Sequence, residues 1–117
     1  MAAIAKAALR NRVLEHLGII GAGETAATAD QTLVDEAIDA THSRLRKFGL
    51  APFPTSAVPE WAQIHLRDAV ASDVAQIYGM SGQRLMEFKS AGQVAERELS
   101  RQVAGYKPPV RVKPGWV

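Results

Sequence analysis

Apolar residues recur at helical spacing in four stretches of this chain, and glycine or proline interrupts the pattern between them. Leu9, Val13 and Leu17 stand at i, i+4 and i+8, with Leu14 beside them and Ile4 one turn earlier, which predicts a first helix over residues 3–17 ended by Gly18. Val34, Ala37, Ile38, Thr41, Leu45 and Phe48 form one stripe and predict a second helix over residues 30–48. Asp30 suits its N-cap and Gly49 its left-handed stop. Acids (Asp35, Glu36, Asp39) lead this helix and bases (Arg44, Arg46, Lys47) follow, the order that the helix dipole favours.

The third stretch, residues 59–79, organises the rest. Pro59 fits a first helical position, Glu60 places negative charge in the first turn, and Gly79 marks the stop. Its apolar residues fall on two faces: Ala62, Leu66, Ala69, Val70 and Ile77 on one, Ile64, Ala71, Ala75 and Tyr78 on the other. A surface helix carries one apolar stripe, so a helix apolar on two sides belongs at the centre of a bundle. The fourth helix is predicted over residues 82–104, with Ser81 as N-cap and an inner stripe of Leu85, Phe88, Gly92, Ala95, Leu99 and Val103. The small residues Ala91, Gly92 and Ala95 allow a close approach between helices. The predicted fold is therefore all-α, a small four-helix bundle over residues 1–105 with an extended C-terminal arm over residues 106–117.

The connectors differ in kind. Residues 18–29 hold three glycines and read as an irregular loop, although Ile19 and Ile20 are apolar enough to tuck under the bundle. Residues 50–58 are held extended by Pro52 and Pro54, with Phe53 and Val58 as anchors. The arm carries Pro108, Pro109 and Pro114, which favour extended or polyproline geometry. In it Val110, Val112 and Trp116 alternate with Lys107, Arg111 and Lys113, and there is no acid. Such a segment is too apolar for an idle linker and suits partner binding.

Composition narrows the function classes. A chain of 117 residues with 47% hydrophobic and 22% charged residues fits one domain with a real core. A net charge of +2 is too weak for a dedicated nucleic-acid footprint. No cysteine is present, hence no disulfide framework and no thiolate zinc site. No run is long and apolar enough to span a bilayer, and Lys6, Arg10, Asn11 and Arg12 break any signal-like apolar stretch.

Candidate chemistry is sparse. Gly18, Gly21 and Gly23 match neither a phosphate loop nor a dinucleotide fingerprint, because a helix precedes them and no Lys-Ser/Thr follows. His16, His42 and His65 fall on three different helices without metal-ligand spacing. No Gly-x-Ser-x-Gly elbow is present. Asp73 lies among Ala69, Val70 and Ile77 on the apolar side of the third helix. It reads as a subunit or intra-bundle ion pair with an arginine rather than as a perturbed catalytic carboxylate. The basic run Arg44, Arg46, Lys47 reads as a solvated helix end or as a contact to DNA or an acidic partner ring. The sequence thus predicts no catalytic, cofactor-binding or metal site. A helix-turn-helix across residues 78–85 is the alternative. Its second helix offers only Gln83, Arg84 and Lys89 near its start, where recognition helices bring a denser set.

The first half of the chain resembles tailed-bacteriophage head–tail connector proteins, also called adaptor, head-completion or tail accessory proteins. The shared pattern is a helix ending in Leu17-Gly18, a Gly23-Glu24 loop, an acidic residue at Asp30 and a long helix finishing near Phe48. The third stretch is similar to the family's third helix, which likewise ends in Tyr-Gly, here Tyr78-Gly79. The resemblance implies a structural virion protein that forms an oligomeric ring of its own copies, usually twelvefold, beneath the portal protein ring. Such a ring extends the DNA channel, helps retain packaged DNA and presents a surface to tail or stopper proteins. The double-stranded DNA passes through without sequence-specific binding. The expected location is the head–tail interface of the virion, after synthesis in the host cytoplasm. In this family a C-terminal arm often reaches into the portal or a neighbouring subunit. Here the corresponding residues are Tyr106, Lys107, Pro108, Pro109, Val110, Arg111, Val112, Lys113 and Trp116. The chain departs from many relatives in having only residues 50–58, rather than a longer segment with β-structure, between its second and third helices.

Overall fold

The computed structural model describes residues 3–105, so the expected C-terminal arm lies outside the described residues. The fold is all-α. Four helices, α1 (Lys6–Leu17), α2 (Thr28–Lys47), α3 (Glu60–Val74) and α4 (Gly82–Gly105), make a small bundle. Helix α3 packs on each of the other three, most extensively on α4. Its buried residues, Ala62, Gln63, Leu66, Ala69, Val70, Ala71, Ser72 and Val74, cover nearly its whole circumference, as the two-faced pattern requires. Leu9, Val13, Leu14 and Leu17 of α1, Val34, Ile38 and Leu45 of α2, and Leu99 of α4 complete one core.

The helix ends follow from local chemistry. Gly18 and Gly49 take left-handed φ of 78° and 72°. At each, the following residue's N–H reaches back five residues, from Ile19 to the Leu14 carbonyl and from Leu50 to the Leu45 carbonyl, both at 2.9 Å. This hydrogen-bonded stop turns the next residue inward, and Ile19 and Leu50 both pack on the core. The same bond pattern closes the turn after α3, from Met80 N–H to the Ala75 carbonyl at 3.2 Å.

Several boundaries differ from expectation. Helix α1 starts at Lys6, because the backbone of Ile4 is engaged in an isolated antiparallel bridge with Val58, with bonds of 3.0 and 2.8 Å. Helix α2 starts at Thr28, with Ala27 as the N-cap and no side-chain cap. Asp30 therefore lies inside the first turn, and its carboxylate accepts the Tyr78 hydroxyl instead. Pro59 is the N-cap of α3 rather than its first residue, and regular helix ends at Val74, not Tyr78. Gly79 N–H bonds to the Gln76 carbonyl, so the chain tightens into turns before the stop. Ile77 lies past that point, where the helical phase no longer applies, and it is 65% exposed. Ile64 is also exposed, as is Phe48 at the end of α2, while Leu50 after the turn packs on the core.

The 50–58 connector is anchored by Ala51, Phe53 and Val58, all buried. The Phe53 carbonyl meets His42 Nε2, and the Phe53 ring stands edge-on to Trp61 at 5.6 Å. Gln63, 3% exposed, donates to the Val58 carbonyl at 3.1 Å and accepts from Arg12 at 2.8 Å, so this buried amide is satisfied from both ends.

Helices α3 and α4 approach closely where Gly92 faces Ser72. A Cβ on Gly92 would collide with the Ser72 side chain, with Oγ only 2.6 Å away. Lys89 Nζ reaches the Ser72 carbonyl at 2.7 Å beside this contact. Gly92→Ala adds about 1 kcal/mol of helix propensity. The collision outweighs that gain, so the variant is expected to lose about 1–3 kcal/mol net in urea denaturation. Adding Ser72→Gly should restore part of the loss, which a defect confined to α4 would not permit.

Candidate functional site

The most featured surface of the bundle lies where the C-terminal half of α2 meets the end of α3. Ala37, Thr41 and Arg44 stand at i, i+4 and i+7, which puts them on one face of α2 with Ala40 beside them. Asp73 and Val74 close α3 opposite, and Ile77 follows in the turn. These seven residues line an open groove of about 390 Å³. Its floor is apolar and its wall is charged. Thr41 Oγ1 donates to Asp73 Oδ2 at 2.5 Å. Arg44 grips Glu96 of α4 through two bonds of 2.9 and 3.3 Å and reaches Asp73 at 3.4 Å.

Hydrogen bonding to Glu96, assisted by the charges of Glu96 and Asp73, holds the Arg44 guanidinium above its ordinary range against the cost of burial. The three side chains remain 41%, 39% and 34% exposed for Arg44, Asp73 and Glu96, so solvent screens them strongly. Such a cluster contributes on the order of 1 kcal/mol or less to stability. It orients groups at a surface more than it holds the fold. Further along the same face Tyr78 donates to Asp30 Oδ1 at 3.0 Å. Burial first, then the hydrogen bond and the charge of Asp30, push the Tyr78 hydroxyl up to about 12.

The expected site residues separate. Asp73 is not buried; it stands on the groove wall with Arg44 of the same chain as its cation. Tyr106, Lys107, Pro108, Pro109, Val110, Arg111, Val112, Lys113 and Trp116 lie outside the described residues. The histidines do not converge. His42 is tied to the Phe53 carbonyl, while His16 sits 3.5 Å from Asp68 and edge-on to Phe88 at 5.5 Å. Burial, then Arg67, lower the His16 pKa, and Asp68 opposes them. Among the described residues no group of three His, Cys, Asp or Glu is placed to hold a metal ion. In the glycine loop Gly21 N–H donates to Glu24 Oε1 at 2.9 Å, so a carboxylate of the chain itself takes that backbone donor.

Arg44 and Ile77 were not legible as site residues. Arg44 reads from sequence as one of three basic residues at a helix end, although its position three after Thr41 marks it as facing the bundle. Ile77 carries no such signal, since its exposure follows from where α3 stops. No family profile matches this chain, and no curated protein or solved structure does.

Two outcomes follow. Tyr78 has a folded pKa above its ordinary 10, so the unfolded chain loses the proton first as pH rises. The stability that this group contributes is whole below pH 10 and drains away toward pH 12. Urea midpoints measured across that window should fall less steeply for Tyr78→Phe than for the unsubstituted chain. Arg44→Ala leaves Asp73 and Glu96 without their shared cation. It is expected to cost at most about 1 kcal/mol in the same assay; a loss several times larger would mean that the cluster carries the fold.

Proposed function

We infer that this chain is a structural subunit of a head–tail connector ring, bridging a portal ring and tail proteins around a DNA channel. The observation that carries this reading is the apolar surface left uncovered on so small a bundle. Phe48, Ile64, Ile77, Met86 and Val94 are each 50–72% exposed. Single exposed apolar residues are ordinary, but five large ones distributed over α2, the α3 region and α4 suit a subunit with neighbours on more than one side. Ring assembly uses such contacts heterologously, each surface of one copy meeting a different surface of the next. Many weak contacts closed in a ring act together, so an isolated subunit need not self-associate.

The sequence resemblance at Leu17-Gly18, Gly23-Glu24 and Tyr78-Gly79 supports the same assignment, as does the all-α bundle. In this reading the partners are the portal ring, tail or stopper proteins and further copies of the chain, which form a twelvefold ring as the family resemblance implies. Packaged DNA passes without sequence-specific contact, and the protein resides in the virion after synthesis in the host cytoplasm. No helix among the described residues is long and apolar enough to cross a membrane.

The helix-turn-helix alternative has less support. Its two basic groups are already engaged, Arg84 with the Leu17 carbonyl at 3.3 Å and Lys89 with the Ser72 carbonyl at 2.7 Å. A salt titration by gel shift separates the readings. Tight duplex binding with a steep salt slope would support the DNA-binding protein and sink the connector.

Deleting residues 106–117 should leave a folded helical chain that fails to enter particles. Normal incorporation of the truncated chain, seen by imaging the capsid vertex, would remove the arm from the assembly role.

A further inference from the structure

We propose that the groove between α1 and α4 receives Phe48 from a second copy of this chain. The groove holds about 230 Å³ and is lined by His16, Glu87, Phe88 and Ala91. The His16 and Phe88 rings meet edge to face at 5.5 Å, and both remain partly open to solvent. A further ring adds to such a pair in the same edge-to-face manner. Glu87 is the one acid of the lining, which contains no Lys or Arg. The charges nearby are already committed. Arg67 holds Asp68 at 2.8 Å, and Arg84 reaches the Leu17 carbonyl, against the negative end of the α1 dipole.

Phe48 is the matching projection. Of the exposed large apolar residues Phe48, Ile64, Ile77, Met86 and Val94, it is the aromatic one and the most exposed, at 72%. It directly follows two bases, Arg46 and Lys47. Among the described residues neither base forms an ion pair, and neither does Glu87. The stop at the end of α2 fixes the ring in place: Phe48 N–H bonds to the Leu45 carbonyl at 3.1 Å, Gly49 N–H to the Arg46 carbonyl at 3.0 Å, and Leu50 packs on the core. A projection held this way loses little freedom on docking. Ring meets rings, and a base beside it meets Glu87, which sets both fit and orientation.

Because Phe48 is so exposed, it does not fill the groove of its own chain, so the occupant comes from a neighbour. The end of α2 and the α1–α4 groove are different surfaces, so the contact runs head to tail and repeats from copy to copy. It rests on the connector reading for closure into a ring, whereas the contact itself is measurable between two purified chains. Its failure there leaves the connector reading to the gel shift and the particle imaging, which test it separately.

The chain has no cysteine, and Ser43 is exposed on α2 five residues before Phe48, so a nitroxide on Ser43→Cys marks one copy alone. That copy is mixed with a nitrogen-15-enriched chain that lacks the cysteine, each at about 1 mM, where a contact of millimolar Kd is substantially formed. The amide signals of residue 16 and residues 87–91 should broaden, and those around Ile64 should not. Phe48→Asp in the nitroxide copy, an exposed position that spares the core, should abolish the broadening. Glu87→Lys in the observed copy should reduce it several-fold, and Arg46→Glu with Lys47→Glu in the nitroxide copy should then recover part of it. No broadening in the first mixture overturns the proposal. So does broadening centred on Ile64 or Ile77, or broadening that persists in Phe48→Asp or is unchanged in Glu87→Lys.

Discussion

Everything in this bundle depends on covering α3. Its middle turns present Leu66, Ala69, Val70, Ala71 and Val74 in nearly every direction, and three helices are needed to take that surface out of water. The choice of small residues is part of the same constraint. Ala62, Ala69, Ala71, Ser72 and Ala75 keep the central helix thin, so that its neighbours approach without leaving voids. The bare backbone of Gly92 carries this furthest, letting α4 settle against Ser72. Leu66 and Val70 supply the bulk between these close approaches, and removing such a side chain costs about 2–5 kcal/mol for Leu→Ala.

The polar contacts are arranged around that apolar packing rather than within it. Gln63 and His42 are buried because they fasten the 50–58 connector through its carbonyls, which have no helical partners of their own. The Ile4–Val58 bridge fastens the other side of the same segment. The charged cluster of Arg44, Asp73 and Glu96, in contrast, stays at the solvent edge. One class of polar group closes the fold, and the other is available for recognition.

Helical periodicity made the architecture legible: four stripes, their glycine stops and the central place of α3 all follow from the spacing of apolar residues. The same reasoning misplaced Phe48, Ile64 and Ile77. A helical wheel gives a direction but not the axial position at which a neighbour ends, and it loses phase where a helix tightens into turns. It also set Asp30 at the cap, because an acid before an apolar run is the usual signal. Its actual partner, Tyr78, is 48 residues away, and no local pattern encodes such a pair. The groove was half legible. Its α2 wall lies on the predicted stripe, but its charged edge depends on Asp73 and Glu96 coming together at Arg44 across α3 and α4.

The unequal attachment of α4 has a mechanical consequence. It rests along α3 over much of its length but meets α1 and α2 through a few side chains, Arg84 at the Leu17 carbonyl, the Phe88 ring edge-on to His16, and Glu96 with Arg44. The helices are thus coupled largely in series: a pull or twist applied to the end of α4 reaches the α1–α2 pair chiefly through α3. The stiff joint is the glycine contact at Ser72, and the compliant ones are the Arg84 hydrogen bond and the Arg44–Glu96 ion pair, which water can replace. A lever of this kind transmits axial strain from one end of the molecule while the paired helices at its base hold their shape.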